Sequence, residues 1–455
     1  MPSPRPISCL VLFSLLACPL AAADGDLDPN FWTDGKVALP GTGDVTFGGL
    51  AAHASGALAI GYTVHAGEKE AYWRSVTDST WGAACRVIVG SVSSEIDTYV
   101  YDAAFDASGR LIVLAKKTFS FGGDQVFAVL AYEFPYCRLD LDFGTDGIVY
   151  LPQVISLLTD ATRLATTSDG KILIAGGEGL YDAQKALHYY SRLVRLEPDG
   201  DFDPTLDDDG VALGGEPAGG VDLAVAPNGH IVMAAVNAGE GEVNFLVHDF
   251  SPDGTFLAET VVAFDLGGTD IDEASAIAAT ADGKVVIVGT VAANPIHANT
   301  YGAIAVLSWN PQGDLVPDST FSGDGKMTLA FNSRSYSSLS DVVVQGASRI
   351  LVAGTAKTQI IDNAMAIARL ALDGTFDATF YPPGNGRRLV DFDIAAPEND
   401  LANRLVLQQG RIVIGGQVDI AGDVTSVGVA RLENQWIFGG GFDQLEVGDW
   451  FLPLP

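Results

Sequence analysis

The sequence predicts an all-β fold, a seven-bladed β-propeller of four-stranded blades. Three observations support this prediction: a turn–strand–glycine motif recurs about every 59 residues, two further landmarks keep the same period, and the strands of the motif are apolar on both faces. A strand that is apolar on both faces belongs in a sheet that is covered on both sides. Four-stranded sheets repeated at this period and packed face to face are typical of propellers.

The first landmark is a turn that is followed by an apolar run and a glycine. Clear copies are DGKILIAG at Asp169–Gly176 and DGKVVIVG at Asp282–Gly289. Successive turns are 53, 61, 59, 54, 65 and 62 residues apart. Asp-Gly, Asn-Gly and Ser-Gly pairs between apolar runs predict hairpins with type I′ turns, which need positive φ at both central residues. The seven turn positions are Gly56, Gly109, Gly170, Gly229, Gly283, Ser348 and Gly410.

Two more landmarks divide each unit into strands. One is an Asp-Gly or Asn-Gly pair before a short apolar strand, and the other is a Gly-x-Leu/Phe-Asp segment. The pairs, one or two periods apart, begin at Asp34, Asp146, Asp209, Asp324 and Asn385. Each unit therefore contains four predicted strands: two in the hairpin, one that ends in an Arg-Leu segment, and one after the Asp-Gly pair.

The two ends of the repeat region predict that the N-terminal segment closes the ring. The repeat region begins inside a unit at Asp24–Phe31, and the last unit stops at Ala430–Asn434, where that segment would follow. A last blade completed by the N-terminal segment leaves no open sheet edge. An open array, the alternative, would need polar caps at both ends.

These motifs resemble the delta-60 repeat family of bacterial proteins. The best copies combine Asp169–Gly176 with Val194–Asp203, and a second copy of the Arg-Leu segment lies at Ala368–Asp377. The resemblance covers about residues 24 to 435. It implies a propeller-like fold and export from the cell. The family carries no established catalytic residues, so the resemblance assigns none to this chain.

Residues 1–23 are predicted to form a secretory signal peptide. Arg5 precedes an apolar run that is too short to span a bilayer, and Ala21–Ala23 supplies an A-x-A cleavage site. An alternative is that Leu15–Cys18 is a lipobox and that Cys18 becomes lipidated. Either route leads to the cell envelope, the periplasm or the exterior.

Cleavage after Ala23 would leave a seven-repeat domain at 24–435 and a tail at 436–455 that is rich in glycine and aromatic residues. This tail either packs on the ring as a strap or serves as a docking or sorting segment. The cleaved chain keeps two cysteines, Cys85 and Cys137. An exported protein with two cysteines most simply forms one disulfide, although two free thiols remain the alternative.

The charge of the chain restricts its partners. It contains 57 acidic and 25 basic residues, for a net charge of −32. A nucleic-acid-binding protein needs basic patches, and no cluster here exceeds two adjacent basic residues. We therefore expect no nucleic-acid partner. No stretch of the mature chain is long and apolar enough to cross a membrane, so we expect no transmembrane segment. We also expect a monomer without a cofactor.

One acidic loop, Thr205–Glu216, approaches the spacing of an EF-hand calcium loop. Its candidate ligands are Asp207, Asp209 and Glu216, but threonine occupies the first position, which should be acidic. The alternative is that Asp209 and Gly210 form only the turn of the repeat.

Three arginines recur at one phase of the repeat, each next to a leucine. They are Arg195, Arg369 and Arg431. We predict that each pairs with an aspartate such as Asp203 or Asp377 and locks neighbouring blades together. The alternative is that they line a ligand channel.

The leading functional interpretation is a binding or interaction scaffold for a protein, peptide or glycan, held by loops at one rim or by the central channel. One alternative is a propeller enzyme, such as a hydrolase, lyase or lactonase, with its site at the channel mouth. It would need several carboxylates or histidines at equal repeat phase, and none is apparent. The other alternative is a purely structural surface protein.

Overall fold

Each predicted unit corresponds to one antiparallel sheet, and seven such sheets form the structure. The computed structural model describes residues 23–434, except 41–43, 67, 90–95, 120–124, 152–162, 182–185, 217, 238–242, 265, 267–270, 293–298, 334–335, 347, 360–361, 395–398 and 422–423. The predicted signal peptide, apart from Ala23, and the predicted tail lie outside the described residues. Their boundaries therefore stay predictions, and so does the lipidation of Cys18.

The strands are numbered in chain order, and each of the first three blades takes four consecutive strands. Blade 1 consists of β2 (Val45–Ala52), β3 (Leu58–Ala66), β4 (Glu68–Val76) and β5 (Cys85–Val87). Blade 2 consists of β6 (Ile96–Phe105), β7 (Leu111–Phe119), β8 (Gln125–Tyr132) and β9 (Ile148–Tyr150). Blade 3 consists of β10 (Arg163–Thr166), β11 (Ile172–Tyr181), β12 (Leu187–Leu196) and β13 (Val211–Leu213).

The next three blades follow the same order. Blade 4 consists of β14 (Ala218–Val225), β15 (Ile231–Asn237), β16 (Phe245–Phe250) and β17 (Phe256–Val262). Blade 5 consists of β18 (Ile271–Ala279), β19 (Lys284–Ala292), β20 (Thr300–Trp309), β21 (Leu315–Pro317) and β22 (Lys326–Leu329). Blade 6 consists of β23 (Ser337–Gln345), β24 (Arg349–Lys357), β25 (Asn363–Ala371) and β26 (Arg387–Val390), with a 3₁₀ turn at Pro382–Gly384.

Blade 7 closes the ring with a strand from the other end of the chain. It contains β27 (Leu401–Gln408), β28 (Arg411–Ala421) and β29 (Val424–Leu432), and its outer strand is β1 (Lys36–Ala38). Strand β1 pairs antiparallel with β29, so that Lys36 lies opposite Ala430. The first strand of every blade contacts the first strand of the next, and β27 contacts β2. The structure is therefore the predicted seven-bladed propeller, closed by the N-terminal segment.

Apolar clusters fill the interfaces between all neighbouring blades. Strand β19 shows why its sequence is apolar throughout. Val285 and Ile287 point towards blade 4, whereas Val286 and Val288 point towards blade 6, and all four are fully buried. Burying such a side chain contributes about 1.5–3 kcal/mol. No helix among the residues described is long and apolar enough to cross a membrane.

The hairpin turns differ from the predicted type I′ geometry. In the first five copies only the glycine has positive φ, between 83° and 87°, and the residue before it does not. Gly109 donates to the Asp106 carbonyl while the Asp106 amide donates to Arg110. This pattern is a type I turn that ends in a left-handed glycine. Among the turns that are described in full, both central residues have positive φ only in the last copy, at Gln409 and Gly410.

The predicted disulfide is present. Cys85, on the outer strand of blade 1, is bonded to Cys137, which follows β8 of blade 2. Their Cα atoms are 5.1 Å apart, and 52 residues separate them in sequence. The bond therefore joins two neighbouring blades covalently near their outer edges.

Replacing Cys85 and Cys137 by serine should lower the melting temperature, because the disulfide restricts the unfolded chain. A loop of this length contributes about 4 kcal/mol in the chain-entropy model. Thermal unfolding with and without a reducing agent measures the effect. The double serine variant is the control, since the reducing agent should leave it unchanged. Equal melting temperatures for the oxidised and reduced natural protein would contradict the prediction.

Candidate functional site

The first strands of six of the seven blades share one irregularity in their pairing. A β-bulge interrupts β2, β6, β14, β18, β23 and β27 at the same point of the repeat. The residue after the bulge pairs with the fifth residue after the hairpin turn position. Bulges commonly redirect a side chain next to a functional site. The seven residues at this phase, called the channel ring below, are Gly49, Asp102, Arg163, Asp222, Ala276, Asp341 and Arg404.

The channel ring corrects one expectation from the sequence. Carboxylates do recur at one repeat phase, although none was apparent in the sequence. Arg163 and the three ring aspartates lie seven residues before the turn position of their unit, and Arg404 lies six before. Counting back from the turns would have revealed them. Their signal is weak because the charges alternate in sign and because Gly49 and Ala276 interrupt the series.

The three ring aspartates bind the backbone of the next blade. In each case a backbone amide donates to the Oδ2 atom of the aspartate. Leu164 donates to Asp102 at 3.0 Å, Ile277 donates to Asp222 at 2.8 Å, and Leu405 donates to Asp341 at 2.6 Å. Each donor is the residue after the ring position of the following blade. The aspartates therefore connect blades 2 and 3, 4 and 5, and 6 and 7.

Burial and mutual interaction tune the charges of the ring. Burial raises the pKa of Asp222 to about 7, and it also raises the pKa of Asp341. Burial and the positive charge of Arg404 lower the pKa of Arg163. Arg404 keeps a raised pKa despite burial because Asp102 and Asp341 act on it, and its Nη2 lies 2.9 Å from Asp102 Oδ1.

A cavity of about 400 Å³ opens beside the ring where blades 7, 1, 2 and 3 meet. Its residues lie on the N-terminal halves of the inner strands and on the adjacent strands of blades 1 and 2, so it occupies the channel mouth opposite the hairpin turns. No carboxylate or histidine occurs among its described lining residues. Four cations line it, and they are Lys69, Lys116, Arg163 and Arg404. The aromatic lining residues are Phe47, Tyr99 and Tyr101. We call this site the basic cavity.

The cations of the basic cavity differ in their contacts. Lys69 Nζ donates to the Tyr99 hydroxyl at 2.6 Å. Lys116 Nζ lies 5.4 Å and 4.9 Å from the ring centres of Tyr99 and Tyr101, within range of cation–π attraction. Arg163 donates no hydrogen bond to any residue that the structure describes. The cavity thus offers one guanidinium whose donors are available to a ligand.

The calcium candidates have other roles in the structure. Asp209 Oδ1 accepts from the Val211 amide at 2.9 Å, as expected for a turn, and Glu216 hydrogen-bonds to His188. Asp207 has a φ of 46°, and its amide donates to the Asp253 carbonyl. Within the described part of the chain, no three His, Cys, Asp or Glu side chains are grouped to hold a metal ion.

The three recurring arginines lie away from the cavity and contact carboxylates. Arg195 donates to Asp203 of its own blade and to the Pro252 carbonyl of blade 4. Arg431 Nε donates to Asp28 at 2.7 Å. These contacts join blades or chain ends, and their contribution to stability stays a prediction.

Arg369 contacts two carboxylates and a neighbouring ring. Its Nε donates to Asp377 at 3.0 Å, its Nη2 donates to Asp24, and its guanidinium lies 4.9 Å from the centre of the Phe380 ring. Asp24 belongs to the N-terminal segment that closes the ring. Arg369 therefore connects blade 6 to this segment.

One cluster between blades 3 and 4 has the composition of a hydrolase triad but not its accessibility. Ser191 Oγ lies 2.6 Å from His248 Nδ1, and His248 Nε2 lies 3.0 Å from Glu259 Oε2. Ser191 and His248 are fully buried. A nucleophile must reach its substrate, so this cluster holds the two blades together.

A family model described as a domain of unknown function (DUF5122) beta-propeller matches residues 167–206 and 348–380. These segments lie in blades 3 and 6, and each contains the hairpin turn, the Arg-Leu segment and the following Asp. The matches support assignment to a propeller repeat family. No curated protein matches the sequence.

Several solved structures are similar to this chain at low identity. A protein of unknown function from Dyadobacter fermentans DSM 18053 is 11% identical, with 88% of this chain and 98% of that chain covered and a TM-score of 0.44. Hadza microbial sialidase Hz136 is 11% identical, with 86% of this chain and 66% of the sialidase chain covered and a TM-score of 0.45. A polysaccharide lyase, the PL25 ulvan lyase, is 11% identical, with 88% and 96% covered and a TM-score of 0.48. Similarities at this level assign no function to this chain.

Arg369→Ala should destabilise the protein, because it removes the buried cation that contacts Asp24 and one of the two arginines that pair with Asp377. Removing one partner of a buried ion pair costs about 3–5 kcal/mol. Thermal unfolding measures the change, with Arg138→Ala as the control. Arg138 also pairs with a glutamate, but its side chain is 70% exposed. An unchanged melting temperature together with lost ligand binding would instead favour a role in a ligand channel.

Asp222 should give the stability a pH dependence opposite in sign to that of a salt-bridged carboxylate. Its pKa is about 7 in the folded protein against an ordinary value of 3.8, so only the folded state holds the proton between these values. The free energy of unfolding should therefore fall as pH rises from about 4 to about 7. Denaturant unfolding at several pH values tests this expectation.

The matched variants for this test are Asp222→Asn and Asp253→Asn. The first cannot ionise and should lack part of the slope, whatever its absolute stability. Asp253 is solvent-exposed, and hydrogen bonds from Ser251 and Thr255 lower its pKa, so it should not titrate in this window. Parallel pH profiles for the natural protein and Asp222→Asn would contradict the prediction.

Proposed function

We propose that this chain is an exported binding protein of the delta-60 repeat type, and that its ligand occupies the basic cavity. The observation that carries the proposal is the cavity itself, at the mouth of the channel. Its volume of about 400 Å³ lies within the range of small-molecule sites. Rigid strands of four blades supply its walls, so the site needs little ordering when a ligand binds.

Export is supported by the predicted signal peptide and by the disulfide between Cys85 and Cys137. Disulfides persist in oxidising compartments and are rare in the cytosol. The acidic composition fits a protein that stays dissolved and monomeric outside the cytoplasm.

Binding without turnover agrees best with the groups that surround the cavity. The ring aspartates accept hydrogen bonds from backbone amides or contact Arg404, which leaves them poorly placed to transfer protons to a ligand. The described lining residues include no carboxylate or histidine that could act as a general acid or base.

The alternative is a propeller enzyme with its site in the same cavity. One observation favours it, namely the 2.6 Å contact between Lys69 Nζ and the Tyr99 hydroxyl. Such a pair could exchange a proton with a bound substrate. Release of a product from a bound ligand, followed by mass spectrometry, would identify an enzyme.

Thr46→Trp should abolish ligand binding by filling the rim of the cavity. Thr46 is exposed on β2 and lines the cavity, so the larger side chain can enter it without disturbing the core. The control is Thr328→Trp, at an exposed position of β22 in blade 5. Glycan and peptide arrays probed with the natural protein and with both variants measure binding.

The expected result is a ligand that binds the natural protein and Thr328→Trp equally but does not bind Thr46→Trp. A ligand retained by Thr46→Trp would place the binding site elsewhere on the propeller and overturn the proposal.

A further inference from the structure

We infer that the basic cavity binds the oxyanion group of a small organic molecule, a carboxylate or a sulfate ester, and that Arg163 is its principal partner. This inference rests on the proposed function, because it specifies the class of ligand that the same cavity takes. It depends on the charge of the cavity, on the contacts of Arg163 and on the aromatic wall.

The charge of the cavity is opposite to that of the whole protein. Acidic residues outnumber basic ones by 57 to 25 in the chain, yet four basic side chains and no acidic ones line the cavity among the residues described. A cleft lined by one sign of charge focuses the field and raises the local concentration of the opposite ion. The cavity therefore favours an anion on a protein that repels anions elsewhere.

Arg163 is the cation whose hydrogen bonds the protein leaves unused. Asp102 Oδ1 contacts Arg404, and Asp102 Oδ2 accepts from the Leu164 amide. Both carboxylate oxygens of Asp222, and both of Asp341, accept from backbone amides. Among the described residues, none of these carboxylate oxygens accepts a hydrogen bond from the Arg163 guanidinium, although the three aspartates lie near enough to act on its charge.

A bound oxyanion would complete the contacts that Arg163 lacks. Arg163 is only half-buried, so its donors can be reached from the cavity, and a guanidinium presents donors that match a carboxylate or a sulfate in pairs. Burial and then the positive charge of Arg404 lower the pKa of Arg163, while the charges of Asp102, Asp222 and Asp341 act in the opposite direction. An anion beside both guanidinium groups would reduce the repulsion between them.

The other walls suit the body of a molecule that carries such a group. Tyr99, Tyr101 and Phe47 provide apolar surface, and Thr46 and Asn403 provide polar atoms at the rim. This mixture fits an acidic sugar or another compact organic acid better than a bare inorganic ion.

The test is calorimetric titration of the full-length mature protein with glucuronate, glucose 6-sulfate and glucose. We expect the two anions to bind and neutral glucose not to bind. Arg163→Gln should weaken anion binding by about tenfold or more, as expected for loss of a charge-assisted pair. The control is Arg86→Gln, since Arg86 pairs with Glu70 on blade 1 and its side chain is 46% exposed and outside the cavity.

A melting temperature measured on each variant separates binding from structure. Arg163→Gln removes a half-buried cation that donates no hydrogen bond to the described residues, so its melting temperature should stay close to that of the natural protein. A large drop would mean that Arg163 holds the fold and would overturn its assignment as a ligand-binding residue.

The outcomes also separate this inference from the proposed function. Equal affinity of the anions for Arg163→Gln and the natural protein, or no anion binding tighter than about 10 mM, would overturn the inference. A neutral ligand that Thr46→Trp excludes and Arg163→Gln retains would overturn it while leaving the proposed function standing. Anion binding that Thr46→Trp leaves unchanged would overturn both. Preference for glucuronate over glucose 6-sulfate, or the reverse, identifies which oxyanion the cavity takes.

Discussion

The burial of both faces of every blade is the constraint on which the rest of this structure depends. A sheet such as blade 5 places apolar side chains of β19 against both neighbouring blades. No blade can bury its surface alone, so the array must close or expose a large apolar face. Pairing of β1 with β29 achieves closure. The N-terminal segment that leads into β1 is held by Arg369 through Asp24 and by Arg431 through Asp28.

Closure creates a second requirement at the centre of the ring. The first strand of each blade is an edge strand whose outward amides and carbonyls face the channel. Unpaired buried amides are costly, so they need partners. Ring aspartates supply them for blades 3, 5 and 7, and the bulge brings each carboxylate to the amide of the next blade. The aspartates at the centre of the ring therefore have a structural role that does not depend on any ligand.

The sequence predicted the periodic features of the fold and missed those that depend on contacts between blades. The apolar runs repeat in all seven units, turn glycines in six and Asp-Gly or Asn-Gly pairs in five, so they predicted seven sheets and their closure. The two cysteines predicted a disulfide because the chain offered few alternatives. The predicted turn type was wrong because an Asp-Gly, Asn-Gly or Ser-Gly pair is compatible both with a type I′ turn and with the observed type I turn that ends in a left-handed glycine.

The candidate site was harder to predict than the fold. Its residues come from blades 7, 1, 2 and 3, far apart in sequence, and their signs of charge differ at the same phase. Lys69 lies on the third strand of blade 1, and Lys116 lies on the second strand of blade 2. A basic residue on such a strand usually indicates only a solvated surface. Only the closed ring brings these cations beside Arg163.

The position of the cavity follows from the odd number of blades in the ring. Aspartates occupy the ring positions of blades 2, 4 and 6, and arginine or a small residue occupies those of the odd blades. An alternation of two cannot close in a ring of seven, so blades 7 and 1, both odd, must be neighbours. Gly49 is the ring residue of blade 1, and without a side chain there Arg404 reaches past this blade to Asp102 of blade 2.

Gly49 and its neighbour Gly48 let the first strands of blades 1 and 2 approach closely at this junction. A Cβ atom on Gly48 would lie 2.5 Å from the Val100 carbonyl oxygen, and one on Gly49 would lie 2.7 Å from the Ala103 nitrogen, so β2 and β6 can approach only because these residues are glycines. No ring side chain of blade 1 fills the centre beside them. The cavity lies at this break in the alternation, where Arg163 is the ring cation that donates no hydrogen bond to a described aspartate. The repeat thus builds the propeller, and the one place where the alternation fails holds the cavity that we propose as its binding site.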